Sequence, residues 1–108
     1  MTAAEPLALK DEQLRRFITN GYLVLQSQLP AEFHAWVFEK LHGLASGSGH
    51  FGNNLLPLVP ELNQVIEEPK IKGALSRILG NNYSLHAHRA VHANPPGSDE
   101  QAWHKDSY

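Results

Sequence analysis

The stretch Gln101-Ala102-Trp103-His104-Lys105-Asp106-Ser107-Tyr108 decides how the rest of the chain is read. If it is extended, His104 and Asp106 project to the same face, because strand side chains alternate with period two. Their backbones are then roughly 7 Å apart, near enough for an imidazole and a carboxylate to converge on one ion. Such a pair is two thirds of a 2-His-1-carboxylate site, and the third ligand must come from elsewhere. Taken alone, His-x-Asp is a weak signal. With 7 His and three Asp in the chain, about 0.2 such pairs arise by chance. The bland alternative is a surface strand edge on which Asp106 bonds a neighbour.

Composition narrows the chemistry. A chain of 108 residues with 42% hydrophobic and 19% charged residues reads as one small globular domain or a piece of a larger one. A formal net charge of −2 leaves no basic footprint for nucleic acid or an anionic membrane surface, so neither is an expected partner. The absence of cysteine excludes disulfides and thiolate ligands, leaving nitrogen and oxygen donors for any metal. The opening MTAAEPLALKDEQ has neither the basic start nor the apolar core of a signal peptide, and no run approaches membrane-spanning length. The expectation is a soluble cytoplasmic protein of unknown oligomeric state.

Working outward toward the N-terminus, Asn94-Pro95-Pro96-Gly97-Ser98-Asp99 is a loop of turn formers. Residues 83–93 alternate, with Tyr83, Leu85, Ala87, Arg89 and Val91 on one face and Ser84, His86, His88, Ala90 and His92 on the other. That pattern predicts a strand. Its histidine face is a half-buried polar surface, a set of groups that orients others deeper in a pocket, or part of a three-histidine cluster. Pro69 suits the first turn of a helix with Ile71, Ala74, Leu75, Ile78 and Leu79 on its apolar side and Gly80 closing it. A shorter helix is expected over 60–67, after the turn-rich loop 46–54. Pro30 opens a helix to about Leu44 whose stripe of Phe33, Trp36, Val37, Leu41 and Leu44 is expected to pack on a sheet. Tyr22-Leu23-Val24-Leu25 reads as a buried strand, and Asp11 to Asn20 as an amphipathic helix with Asp11 as N-cap and Gly21 as terminator. Residues 1–9 read as a flexible arm. Trp103 is expected in the core, and His34, His42 and His50 at solvent or helix ends.

Three stretches in order carry a resemblance. LHAHRAVHANPPGSDEQAWHKDSY (85–108), EQLRRFITNGYLVL (12–25) and GALSRILG (73–80) resemble the corresponding segments of the phytanoyl-CoA dioxygenase family of Fe(II)/2-oxoglutarate-dependent oxygenases. The resemblance implies an α+β fold, in which a helical layer over 10–80 precedes the first strands of a double-stranded β-helix, a jelly-roll or cupin-like barrel left incomplete within 83–108. It implies that His104 and Asp106 bind Fe(II). It places Arg89, His92 and Asn94 near 2-oxoglutarate or a small-molecule or acyl substrate that is hydroxylated at a C–H bond. The family's distal His and its 2-oxoglutarate-binding Arg have no counterpart in these 108 residues, so no catalytic residue is assigned and the isolated chain is expected to be an inactive fragment. Two other readings remain open: a non-enzymatic binding module derived from that fold, and a His-rich divalent-metal protein.

Overall fold

The computed structural model describes residues 6–48, 54–86 and 94–105. Among the described residues four helices follow one another: α1 (Asp11–Asn20), α2 (Ala31–Ser48), α3 (Leu62–Ile66) and α4 (Pro69–Leu79). None of them is long and apolar enough to cross a membrane. The helices fall where the apolar periodicity places them, except that α2 runs past Leu44 to Ser48, into the stretch 46–54 expected to be a loop. The α+β expectation does not survive, because the described residues form no β-strand, no sheet and no part of a barrel.

The reason is visible at residues 22–28. Their exposure alternates as an extended chain requires: Leu23, Leu25 and Ser27 are half-buried, whereas Tyr22, Val24, Gln26 and Gln28 are exposed. A strand is defined by the ladder to its neighbour, and no backbone ladder forms along this stretch among the described residues. Residues 83–86 and 101–105 likewise form no strand among the described residues. The rest of the expected 83–93 strand lies outside the described residues.

α2 therefore packs on no sheet. Val37 is buried with Leu55 and Val59, and Phe33, Leu41, Leu44 and Leu62 close around that cluster. Residues 54–61 run through turns, with Leu58 and Val59 donating their N–H groups to the Leu55 carbonyl at 3.0 Å. Trp36, expected in the stripe, is half exposed and holds the Lys40 ammonium 4.9 Å from its ring centroid. Lys40 in turn reaches both carboxylate oxygens of Glu61, at 3.1 and 3.3 Å, and ties α2 to the turn before α3.

α4 organises the other half. Pro69 occupies its first turn and Gly80 (φ 84°) ends it. The N-cap is Glu68, buried to 3% exposure, whose two carboxylate oxygens accept from Lys70 N–H (3.2 Å) and Ile71 N–H (3.3 Å). Residues 6–9, expected to belong to a flexible arm, run against this helix. Leu7 N–H donates to the Pro69 carbonyl at 3.0 Å, Arg77 donates to the Leu9 carbonyl at 3.2 Å, and Leu9 is buried. Contact is close enough to need Gly73, where a Cβ would stand 1.8 Å from the Leu7 carbonyl oxygen. Arg77 also binds the Asp11 carboxylate at 2.5 Å. Asp11 is thus committed elsewhere and is the first helical residue, while the cap position falls to extended Lys10, whose N–H donates to Gln13 Oε1.

Candidate metal centre around His104

Local geometry at the expected site begins with the loop before it. Ser98 N–H and Ser98 Oγ both donate to the Pro95 carbonyl, at 3.1 and 2.6 Å, and Gly97 has φ 86°. Pro96 and Gly97 are the central pair of a type II turn, in which the second central residue must adopt positive φ. The turn leads the chain into residues 101–105, which are exposed. Gln101, Ala102, Trp103 and His104 line a surface depression of about 330 Å³. Trp103 does not belong to a core: its side chain is fully exposed, because no neighbouring layer covers this stretch.

His104 makes one bond that bears on chemistry. Its Nδ1 lies 2.8 Å from the Ala102 carbonyl oxygen. A carbonyl only accepts, so Nδ1 carries the proton, and in the neutral ring the lone pair is on Nε2. Metal-binding histidines are oriented in this way, by a backbone or carboxylate acceptor on the other nitrogen.

The remaining expected site residues are not brought together. Asp106, Arg89 and His92, with His88, lie outside the described residues. Asn94 is exposed at the entry to the Pro95–Ser98 turn, and His86 is exposed after Leu85. His34 sits edge-on to Phe33 and His42 stacks on Phe38 with ring centroids 6.0 Å apart, both on the outer side of α2. Among the described residues no group of three or more His, Asp or Glu could hold a metal ion. Nitrogen from His104 and oxygen from Asp106 match the donor chemistry of a non-haem iron site, but a third donor is not among the described residues.

A larger cleft, about 450 Å³, opens elsewhere, between residues 7–10, residues 24–26 and Lys70. No motif marked it, since it forms only because the arm is pinned to α4. Lys70 Nζ crosses its floor to donate to the Gln26 carbonyl at 3.1 Å.

Neither a family model, nor a curated protein, nor a solved structure matches this chain.

Proposed function

We propose that this chain carries two ligands, His104 through Nε2 and Asp106 through its carboxylate, of the metal centre of a non-haem Fe(II)/2-oxoglutarate-dependent oxygenase. The reading rests on the order of the three resembling stretches. The observation that carries it is the Nδ1–H bond of His104 to Ala102, which selects the tautomer a metal ligand uses. Bound iron with 2-oxoglutarate supplies the oxidising power for hydroxylating a C–H bond. The chain's own contribution is to present one imidazole and one carboxylate two residues apart, behind a proline-glycine turn that fixes where the stretch begins. Arg89, His92 and Asn94 are proposed to contact the co-substrate or the substrate.

Two protein ligands make a weak site, since affinity depends on ligand number and on the ordering of those ligands. Anaerobic titration with Fe(II), read by calorimetry with 2-oxoglutarate present, is expected to show weak saturable binding. It should fall about tenfold or more in both His104→Ala and Asp106→Ala. Ala102→Pro leaves the carbonyl in place and should retain binding. Unchanged affinity in both ligand variants overturns the assignment. Sustained 2-oxoglutarate decarboxylation by the 108-residue chain would show instead that a full ligand set lies within it.

A further inference from the structure

The cleft of about 450 Å³ between residues 7–10, residues 24–26 and Lys70 has charge of one sign only. Leu7, Val24 and Leu25 give it apolar wall, the charged residues lining it are Lys10 and Lys70, and no carboxylate lines it among the described residues. Neither ammonium is in an ion pair there: Lys70 Nζ meets only the neutral Gln26 carbonyl, and Lys10 Nζ has no hydrogen-bond partner. The acids that follow Lys10 are matched elsewhere, Asp11 by Arg77 and Glu12 by Arg16. Lys40 and Lys72, by contrast, each hold a glutamate. Gln13 adds a third donor at the rim, because its Oε1 is taken by the Lys10 N–H at 2.9 Å and its Nε2 hydrogens are left to donate.

We infer that this cleft binds a small carboxylate with an apolar body, its anionic end at Lys10 and Lys70 and its hydrocarbon along Leu7, Val24 and Leu25. The volume lies within the range of small-ligand sites, roughly 300–1,000 Å³, and the lining has their usual character, apolar wall with a few polar groups that set orientation. A concave surface with low-dielectric walls and charge of one sign focuses its field and concentrates ions of the opposite sign. The ligand must therefore be an anion, and a carboxylate makes charge-assisted hydrogen bonds to ammonium groups and to an amide N–H. It must also carry hydrocarbon. Inorganic phosphate leaves the apolar wall in water, and a neutral hydrocarbon leaves two ammonium groups unmatched. The site depends on the arm being held against α4, which brings Lys10 and Lys70 to one cleft across sixty residues of sequence. The inference does not rest on a metal at His104.

Titration of the metal-free chain with octanoate at pH 7 and low ionic strength, followed by the NMR shifts of its amide groups, is expected to show saturable binding with Kd on the order of 0.5 mM. The shifts should centre on residues 7–10, 24–26 and 70. Octanamide, which has the chain without the charge, and inorganic phosphate, which has charge without the chain, should each bind about tenfold more weakly or not at all. Lys10→Met and Lys70→Met should each weaken octanoate about fivefold, and Lys70→Arg should retain it. Lys10 is exposed and its ammonium holds nothing among the described residues, so Lys10→Met tests the charge without disturbing the fold, and circular dichroism verifies this. Octanamide or phosphate binding as tightly as octanoate overturns the proposal, as does octanoate binding indifferent to both methionine variants. Shifts centred on His104 and abolished by His104→Ala overturn it too, by placing the carboxylate at the other site.

Discussion

Gly73 and Glu68 carry more of this fold than their residue types suggest. A glycine in mid-helix costs about 0.5–1 kcal/mol relative to alanine, yet α4 places one where the Leu7 carbonyl oxygen would otherwise collide with a side chain. Gly73→Ala should therefore lower stability by about 1–3 kcal/mol by displacing the arm. Gly43→Ala, on a helix surface with open space around it, should raise stability by about 0.5–1 kcal/mol. Urea unfolding of the pair, followed by circular dichroism, gives both values against one reference. Glu68→Ala removes the acceptor of two N–H groups at the buried start of α4 and should cost about 1–2 kcal/mol, whereas Glu68→Gln keeps an oxygen there and should cost less. Neither role was legible from the chain. Glu68 is one of several carboxylates next to a helix, and Gly73 is required only by a segment more than sixty residues away in sequence.

Among the elements, α1 and α4 were the most legible, since each has an apolar set at helical spacing and a glycine at its end. The link between α2 and α3 was not, because it is made by Lys40 and Glu61 across the intervening turns. The Glu61 carboxyl is held below its ordinary value of 4.5, first by hydrogen bonding at its own backbone and then by the Lys40 ammonium, against the opposing effect of burial. A lowered folded-state pKa stabilises at pH above the unfolded value, and that stabilisation is lost as pH falls through the folded one. Stability should thus decline from about pH 4.5 downward, and Lys40→Met should flatten that decline in a series of urea midpoints taken between pH 6 and pH 3. The Lys72 ammonium is shifted the other way, raised from 10.5 by its bond to Glu67, so its contribution is present below that value and disappears at higher pH.

At the scale of the molecule, the buried apolar side chains among the described residues are few and divided. Val37, Leu55 and Val59 lie in one group, while Leu9 and Ala74 lie at α4. The radius of gyration is 16.2 Å, against about 13 Å for a compact domain of this length. Ile18, Tyr22, Val24, Phe38, Leu79 and Trp103 are all more than half exposed. A chain so arranged gains stability from whatever covers it.

By itself the sequence determined the four helices and the terminal turn, because these depend on interactions within a few residues: Pro69 and Gly80 at the ends of α4, Gly21 after α1, Pro96-Gly97 at positive φ. It also set the residue types at 104 and 106, one nitrogen and one oxygen donor. Whether Tyr22–Leu25 is a strand, whether Trp103 is buried and whether residues 6–9 are an arm were decided by tertiary structure alone. Those properties belong to pairs of distant segments. An extended stretch is a strand only when another backbone meets its hydrogen bonds, and an apolar side chain is core only when another layer covers it.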